Sequence, residues 1–400
     1  MIPVALPDRQ PAGRTPGHTM KKKKKLLIDA LADAYRDNPV QAPCPHFGEC
    51  GGCLFQDIPY ERQLDLKREM INRSIAGIGA VDSVNPSEPY RYRGRMDMVT
   101  AWGKCGLRRR GSFRNVVDIS TCLIMQEKSE GAFRAIRELI ADVEGYDYLR
   151  HQGYLRYVIV REARFTGRVM ANFVVASRDN RLERVLRETE PLVDSLSLIL
   201  NEGMADTSYG EIIATVKAGH IEEEFDGIRY RLTPNSFFQS NSFIARAMYR
   251  AIRERAGGRV LDLCSGVGSI SLFVAGNSES VTGVESNRES VDAAGVNREL
   301  NGSGNVDFIC SDAGEFLRGN GTSYDTIILD PPRTGIGPKL MELIDGRGAA
   351  TVIYMSCNPA TFAADVPALA RYSLESLEAY DMFPQTPHVE LLAVFRKRPA

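Results

Sequence analysis

Residues 259–269 read RVLDLCSGVGS, a short apolar run followed by a glycine-rich turn and the start of another apolar segment. A buried strand, a turn without bulky side chains and a helix, in this order, form the nucleotide-binding unit of doubly wound sheets. Three more apolar runs follow, over residues 281–285, 306–310 and 326–329. Strands that alternate with helices predict an α/β fold with a mostly parallel sheet.

Acidic residues stand at the ends of these predicted strands. They are Asp262, Glu285, Asp312 and Asp330. Because the carboxyl ends of parallel strands meet at one edge of a sheet, we expect a binding crevice there, with Glu285 placed to hold a ribose. Asp262 has a simpler alternative role, which is to cap the glycine turn. The loop lacks the third glycine of dinucleotide sites and the Gly-Lys-Ser/Thr of phosphate loops, which favours S-adenosylmethionine as the ligand.

Cys357 lies in the sequence YMSCNP, directly after an apolar run over residues 350–354. The run predicts a buried strand, and the segment from Pro359 to Tyr372 predicts a helix with proline in its first turn. The partial positive charge at a helix N-terminus favours a thiolate, so Cys357 is a candidate nucleophile. The alternative is a small buried side chain, which is a common fate of a single cysteine.

Three cysteines, Cys44, Cys50 and Cys53, fall within ten residues, and three glycines between them allow the loop to wrap around one centre. No second Cys-x-x-Cys pair follows. A [4Fe-4S] cluster with one distant fourth ligand therefore fits better than a zinc ribbon. Cys122 is our choice for the distant ligand, and Cys105 is its competitor, because spacing alone does not separate the two.

Residues 90–117 contain eight lysines and arginines and one acid, Asp97. Their alternation with apolar residues predicts a strand that points Arg91, Arg93 and Arg95 to one face. Guanidinium groups interleaved with tyrosine are typical of surfaces that bind phosphates and stack bases, so RNA is the expected partner. The alternative is an exposed sheet face that only keeps the protein soluble.

The composition indicates a globular protein of two or three domains, since 43% of the 400 residues are hydrophobic and 25% are charged. No apolar run approaches the roughly 18 residues of a membrane span, and no signal-peptide pattern is present. We therefore expect a cytoplasmic monomer without membrane association. Eight cysteines at uneven spacing favour metal or catalytic use over a disulfide framework.

Several motifs together resemble the S-adenosylmethionine-dependent RNA uracil-C5 methyltransferases, the family that makes 5-methyluridine in tRNA and rRNA. The resemblance extends over residues 44–395, and its cysteine motif is that of the iron–sulfur cluster-bearing branch. The motifs are CPHFGECGGC (residues 44–53) with Cys122, NSFFQSN (235–241), DPPR (330–333), SCNP (356–359) and DMFPQTPHVE (381–390).

The resemblance implies a role for individual residues of this chain. It implies that Cys357 is the nucleophile and that Glu390 is the base. It implies that Gln239 and Asp330 hold the methionine end of the cofactor and the target base. Further cofactor contacts are implied for Cys264 and Ser269 in the glycine loop and for Glu285 and Asp312 at the ribose and adenine. The implied cluster ligands are Cys44, Cys50, Cys53 and Cys122, which favours Cys122 over Cys105.

The chemistry of the reaction accounts for these residue types. A thiolate that adds to C6 of uracil turns C5 into an enolate carbon able to accept the sulfonium methyl group. A carboxylate such as Glu390 can then remove the C5 proton, so that the sulfur of Cys357 leaves and 5-methyluridine forms. Neither ring atom is accessible inside a double helix, so the uridine has to be flipped out or unpaired.

The chain departs from the family pattern at two places. Many cluster-bearing relatives begin with a small oligonucleotide-binding barrel, for which the segment before Cys44 is too short and irregular. We therefore expect uridine 54 of tRNA as the target, with a uridine of 23S rRNA as the alternative. In the glycine loop, Cys264 replaces the usual aromatic residue, and Ser265 replaces the usual cysteine.

Two other functional classes are considered. Asp330-Pro331-Pro332 also occurs in amino-group methyltransferases, but those enzymes follow it with an aromatic residue, where this chain has Arg333, and use no cysteine. A non-catalytic iron–sulfur RNA-binding protein would have no use for a methyl-donor crevice. The discriminating observation is a covalent adduct with 5-fluorouridine RNA, which only the uracil-C5 methyltransferase forms.

The expected fold is α/β, with a C-terminal doubly wound Rossmann-like methyltransferase domain and a β-rich RNA-binding region that carries an iron–sulfur cluster. We divide the chain into four parts. Residues 1–43, which include five consecutive lysines, are expected to be a flexible tail. Residues 44–125 form the cluster region with its basic surface, residues 126–230 a central α+β region, and residues 231–400 the methyltransferase domain.

Overall fold

The glycine loop follows a strand of an eight-stranded sheet in a computed structural model that describes residues 28–399. The other strands form a seven-stranded sheet and a two-stranded hairpin. In chain order, the strands are β1 (Val84–Asn85), β2 (Arg95–Ala101), β3 (Lys104–Arg108), β4 (Val116–Asp118), β5 (Leu155–Glu162), β6 (Val169–Val175), β7 (Ser195–Leu200), β8 (Glu211–Lys217), β9 (Ile221–Phe225), β10 (Ile228–Leu232), β11 (Arg259–Leu263), β12 (Ser280–Glu285), β13 (Val306–Cys310), β14 (Thr326–Leu329), β15 (Thr351–Ser356), β16 (Tyr372–Tyr380) and β17 (Glu390–Lys397).

The helices cover the faces of these sheets and include three short 3₁₀ turns, at Glu190–Leu192, Ala275–Asn277 and Val366–Ala368. The α-helices are α1 (residues 28–34), α2 (Tyr60–Ser74), α3 (Glu127–Leu139), α4 (Glu183–Thr189), α5 (Ser242–Arg255), α6 (Ser269–Val274), α7 (Arg288–Asn301), α8 (Ala313–Gly319), α9 (Pro338–Arg347) and α10 (Pro359–Asp365).

The eight-stranded sheet has the doubly wound topology predicted from the glycine loop. Its order is β1-β16-β17-β15-β14-β11-β12-β13, and β11 pairs in parallel with β12 on one side and with β14 on the other. Because the strand order reverses at this point, a crevice opens at the carboxyl ends of β11 and β14. The prediction of an α/β fold is confirmed.

Strand β17 runs antiparallel between β15 and β16, so it begins at the edge where the parallel strands end. It is buried from Glu390 to Phe395, as expected for a strand that is covered on both faces. Ser356 pairs with Leu391 across the β15–β17 ladder. The next residues along the two strands, Cys357 and Glu390, therefore lie beside each other at the carboxyl edge of the sheet.

The seven-stranded sheet contains strands from two of the predicted parts of the chain. Its order is β4-β3-β2-β5-β6-β7-β8, and Arg95 of β2 pairs with Arg161 of β5. The boundary placed at residue 125 therefore cuts through one sheet, and the boundary placed at residue 230 falls inside β10. Sequence reasoning missed the first continuity because it depends on pairing between distant strands, whereas β10 pairs with the preceding strand β9 in a hairpin.

The N-terminal third of the chain also contributes to the C-terminal sheet. Strand β1 pairs in parallel with β16, with Val84 opposite Ala379. Lys67 of α2 forms an ion pair with Asp381, which follows β16, and both side chains are 0% exposed. A buried ion pair is costly to break, because the remaining charge would have no partner. The pair therefore fastens α2 to the end of β16.

Three local predictions are corrected. Residues 28–43 are not part of a flexible tail, because Leu31 and Ala32 of α1 pack against Phe55 and neighbouring apolar side chains. The lysine run lies outside the described residues. The predicted helix after Cys357 ends at Asp365, because a 3₁₀ turn containing a proline follows. The predicted strand over residues 90–99 begins only at Arg95.

Within residues 28–399, none of the helices combines the length and the apolar character that crossing a bilayer requires. Among the helices whose two ends lie within the described residues, α2 is the longest. It has 15 residues and carries charged side chains along its length.

Candidate active site

The acids predicted at the strand ends do converge on the glycine loop. Cys264, in the loop, has a left-handed backbone with φ of 66°. Burial raises the pKa of the Cys264 thiol, and the carboxylates of Glu285, Asp330, Asp262 and Asp312 add to the shift, which brings the pKa to about 12. All four acids are therefore close enough to this thiol to influence its charge, which places them in one crevice.

Glu285 is oriented by the backbone around it. Its Oε2 accepts a hydrogen bond from the N–H of Gly266 at 3.1 Å, and its Oε1 accepts one from the N–H of Asn287 at 2.8 Å. The carboxylate is thus held at the end of β12, against the glycine loop. This is the position at which doubly wound folds hold a ribose.

Asp312 and Ser269 have partners within the protein. Asp312 caps α8, with Oδ1 accepting hydrogen bonds from the N–H groups of Gly314 at 2.9 Å and Glu315 at 3.0 Å. The hydroxyl of Ser269 accepts a hydrogen bond from the Tyr249 hydroxyl at 3.1 Å. Both residues lie at the predicted edge, but each also stabilises the local fold.

Asp262 and Asp330 are buried at the floor of the crevice. Burial raises the pKa of Asp262 to about 7, although Ser271 donates a hydrogen bond to it at 2.5 Å. Burial and the neighbouring Asp262 raise the pKa of Asp330 to about 8, while a hydrogen bond from Gln239 opposes the shift. The structure therefore brings Gln239 and Asp330 into direct contact. Asp262 also accepts a hydrogen bond from the backbone N–H of Ser271, in the first turn of α6, which agrees with its alternative role as a cap.

Cys357 and Glu390 face a common environment. Burial and the Glu390 carboxyl raise the pKa of the Cys357 thiol, the Arg333 guanidinium lowers it, and the net pKa is about 11. Burial also raises the pKa of Glu390 well above its usual range, Asp330 adds to the shift, and Arg333 opposes it. The expectation that a helix N-terminus would favour the thiolate is wrong for this state, because α10 is short and loss of water dominates.

The segments that carry Arg333 and Cys357 are tied together. The side-chain amide of Asn358 donates a hydrogen bond to the Arg333 carbonyl at 3.1 Å. Asp365 of α10 accepts hydrogen bonds from the N–H groups of Ile336 at 2.8 Å and residue 337 at 3.0 Å. Sequence reasoning missed Asp365, because an acid in a short helix carries no pattern that distinguishes it from a surface residue.

The cysteines separate into two groups. Burial raises the pKa of Cys53, and Cys122, Cys50 and Cys44 add to the shift, which brings the pKa to about 12. Burial is also the largest influence on the pKa of Cys105, but the neighbouring groups that affect this pKa are Asp118 and Arg137. The structure therefore brings together the four predicted ligands, with Cys105 outside the group. Within residues 28–399, no group of three or more histidine, cysteine, aspartate or glutamate side chains could hold a single metal ion.

The predicted arginine row is not an open surface. Arg95 pairs with Asp97 at 2.9 Å, Arg91 donates to the Met125 carbonyl at 3.3 Å, and Arg93 donates to the Arg95 carbonyl at 3.1 Å. Asp97 was the acid in the basic stretch, and its place two residues after Arg95 puts it on the same face of β2. The three guanidinium groups are thus engaged within the protein.

A cleft of about 880 Å³ lies beside these arginines and reaches Pro387 and His388, just before Glu390. Its rim includes Tyr209 and Phe237, which are 44% and 61% exposed. Arg108 pairs with Asp206 at 2.9 Å and lies 4.7 Å from the ring centre of Phe113, which is 64% exposed. Arg108 and the exposed rings of Tyr209 and Phe237 therefore line a cleft that extends to His388.

Comparison with known proteins identifies the family. The sequence profile of the tRNA (uracil-5-)-methyltransferase family matches residues 218–398. The tRNA (uracil(54)-C(5))-methyltransferase of Pyrococcus furiosus is 34% identical to this chain, over 98% of the chain and 95% of that protein. The chain belongs to the tRNA (uracil-5-)-methyltransferase family. The resemblance to S-adenosylmethionine-dependent RNA uracil-C5 methyltransferases is thereby confirmed.

Other members of the tRNA (uracil-5-)-methyltransferase family extend the comparison. The solved structure of the Pyrococcus abyssi tRNA (uracil-54, C5)-methyltransferase, in complex with S-adenosyl-L-homocysteine, has a TM-score of 0.77 at 32% identity, over 86% of this chain and 85% of that one. The 23S rRNA (uracil(747)-C(5))-methyltransferase of the same organism is 34% identical, over 96% of this chain and 90% of that protein. The two relatives act on different RNAs.

We expect Arg333→Gln to raise the pKa of Cys357 above its value of about 11, because Arg333 lowers that pKa. Alkylation by iodoacetamide follows the thiolate fraction, which rises with pH up to the thiol pKa. At a fixed pH below this pKa, alkylation of Cys357 should slow by about three- to tenfold, as a shift of half a unit to one unit requires. The measurement is mass spectrometry of the Cys357 peptide over time.

Arg371→Gln is the matched control, because Arg371 is an exposed arginine that pairs with Asp345 near the opposite edge of the sheet. In this variant, Cys357 should be alkylated at the same rate as in the unmodified protein. Equal rates for Arg333→Gln and Arg371→Gln would contradict an influence of Arg333 on the thiol.

Proposed function

We propose that this chain transfers a methyl group from S-adenosylmethionine to C5 of a uridine in RNA, through a covalent bond between Cys357 and C6. The product is 5-methyluridine. The observation that carries the proposal is the placement of Cys357 and Glu390 beside each other at the carboxyl edge, where β15 ends and β17 begins. Membership of the family supports it.

The proposed reaction balances in two steps. The Cys357 thiolate adds to C6 of the uracil, and the C5 carbon then takes the methyl group from the sulfonium, which leaves S-adenosylhomocysteine. The Glu390 carboxylate removes the proton from C5, the C5–C6 double bond re-forms, and the bond between C6 and the Cys357 sulfur breaks. The thiolate is restored, and Glu390 holds the proton.

The electrostatics of the crevice explain when these groups become charged. Burial disfavours the charged form of both Cys357 and Glu390, since it raises the pKa of each. A positive sulfonium beside Asp330 and Glu390 favours the ionised form of a carboxyl group. Binding of the methyl donor therefore favours ionised acids in the crevice before the methyl group is transferred, whereas the donor sulfur is uncharged when Glu390 removes the C5 proton.

The methyl donor is proposed to lie along the edge from β12 to β14. Glu285 would accept hydrogen bonds from the hydroxyl groups of the ribose, because its carboxylate is held at the end of β12. Asp312 would contact the adenine, and Gln239 with Asp330 would hold the methionine end and the target base. The glycine loop is proposed to contribute Cys264 and Ser269.

The proposed target is uridine 54 of tRNA. Three tRNA (uracil(54)-C(5))-methyltransferases from Pyrococcus species are 33–34% identical to this chain over 98% of its length. A uridine of 23S rRNA is the second candidate, since a relative with that specificity is also 34% identical, over 96% of the chain. The exposed rings of Tyr209 and Phe237 suit unpaired bases in either RNA.

We also propose a [4Fe-4S] cluster on Cys44, Cys50, Cys53 and Cys122. The support is the mutual influence of these thiols on their pKa values and the all-sulfur donor set, which suits iron–sulfur clusters. A four-iron cluster is larger than one ion, so its ligands stand farther apart than those of a single-ion site. A cluster bound there would tie the Cys122 segment to the loop of residues 44–53.

Replacement of Cys357 by alanine should abolish methyl transfer and the covalent adduct with 5-fluorouridine RNA, while the affinity for S-adenosylhomocysteine stays nearly unchanged. Glu390→Gln should still methylate but stall before elimination, so that a methylated covalent complex accumulates with ordinary RNA. Denaturing gels and mass spectrometry of the adduct provide the measurement, with tRNA and 23S rRNA fragments compared. Turnover by Cys357→Ala at a tenth or more of the original rate would refute the proposal.

Anaerobically purified protein should be brown and contain about four irons per chain. Cys122→Ser should lose most of that iron, because it removes a proposed ligand. Cys105→Ser is the matched control, since Cys105 is also buried but lies outside the group of four thiols, and it should retain its iron. Iron analysis and absorption spectra measure both. Stoichiometric zinc in place of iron would contradict the cluster.

A double replacement of Arg109 and Arg114 by glutamine should weaken RNA binding, because both are exposed arginines on the turn between β3 and β4. If each contacts one phosphate of an unpaired strand, the slope of log affinity against log salt should flatten by about 1.4 in total. The matched control replaces Arg259 and Arg396, which are partly exposed near the opposite edge of the eight-stranded sheet. An unchanged slope would show that this turn does not contact RNA.

A further inference from the structure

The loop over residues 381–389, here called the base loop, connects β16 to Glu390. Gln385 lies at its centre, is 2% exposed and has a left-handed backbone with φ of 68°. Residues other than glycine rarely adopt this conformation, which costs about 1–2 kcal/mol. The loop keeps this conformation only if contacts around Gln385 compensate for that cost.

The segment that directly follows Cys53 supplies such contacts. The carbonyl of Gln385 accepts hydrogen bonds from the N–H groups of Leu54 at 2.7 Å and Phe55 at 3.1 Å. Gln63 of α2 binds the same residue twice. Its amide donates to Gln385 Oε1 at 2.9 Å, and its Oε1 accepts from the Gln385 N–H at 3.1 Å.

A second set of contacts holds the start of the base loop. The Lys67 ammonium contacts the Asp381 carboxylate and donates to the Phe383 carbonyl at 3.0 Å. The Tyr60 hydroxyl donates to the same carboxylate at 3.0 Å. Three residues of α2, one turn apart from each other, therefore bind the base loop at its start and its centre.

The geometry restricts where Glu390 can stand. Only four residues separate Gln385 from Glu390, and β17 is paired on both sides from its first residues. A change in the backbone of Gln385 would therefore move the start of β17 relative to Cys357. Misplacement of a reacting group by about 1 Å can reduce a rate on the order of 100-fold.

We propose that Gln63 is a positioning residue, which fixes the base loop through Gln385 and thereby sets the position of Glu390 for removal of the C5 proton. The inference rests on the proposed role of Glu390 as the base. Gln63 touches neither the crevice nor the predicted RNA surface, so no role in binding accounts for these contacts. Leu54 and Phe55, which directly follow Cys53, also hold Gln385 in place.

The test replaces Gln63 with alanine in the full-length protein and measures turnover on the target RNA. Elimination should slow, so kcat should fall on the order of 10- to 100-fold while KM changes little. The methylated covalent complex should accumulate with ordinary RNA, as for Glu390→Gln. A residue with only a structural role would lower the amount of folded enzyme without trapping this intermediate.

Three further variants complete the design. Glu61→Ala, an exposed replacement on the same helix, should behave as the original protein. The double variant Gln63→Ala/Gln385→Ala should lose little more than Gln63→Ala alone, because two residues that act through each other are not additive. If Gln63→Ala does not fold, Gln63→Glu keeps the acceptor for the Gln385 N–H and should trap a smaller amount of the complex.

The outcomes separate the inference from the function on which it rests. If Glu390→Gln traps no methylated complex, the assignment of the base fails, whatever Gln63→Ala does. If Glu390→Gln traps the complex but Gln63→Ala turns over normally, or loses kcat without trapping it, the positioning role of Gln63 is overturned. Trapping by both variants, with nearly unchanged affinity for S-adenosylhomocysteine, supports it.

Discussion

Loss of water at the carboxyl edge of the eight-stranded sheet is the constraint on which the site depends. Burial is the largest influence on Asp330, Cys357 and Glu390, and it raises the pKa of each. The proposed reaction needs a thiolate and a carboxylate, so burial opposes the charge that each group must carry. A cationic methyl donor favours the ionised form of nearby acids and so counteracts this effect of burial.

The direction of one strand gives this edge its chemistry. In a sheet of parallel strands alone, the first residue of β17 would lie at the far edge, away from Cys357. Because β17 is antiparallel, Glu390 lies next to the end of β15. The N-terminal third of the chain stabilises this arrangement, since α2 holds the base loop through Gln63 and Lys67.

Sequence reasoning found the residues at strand ends because a doubly wound fold leaves a local signature. A buried run that ends in Asp, Glu or Cys predicts both the strand and the place of its last side chain. Sequence reasoning failed where a side chain could pair with another residue of the folded chain. Arg95 looked like a phosphate ligand, yet Asp97 neutralises it, and Asp312 also caps its own helix.

By itself, the sequence determined the mostly parallel sheet, the glycine turn at residues 264–268 and the place of Cys357 at a strand end, because spacing and local residue type suffice for those. The role of Glu390 as the base was implied by the resemblance to the family. Only the tertiary structure decided that Gln63 binds the base loop through Gln385 and that Lys67 pairs with Asp381. These contacts join positions far apart in the chain. Their formation depends on long-range packing, which leaves no periodic trace in the sequence.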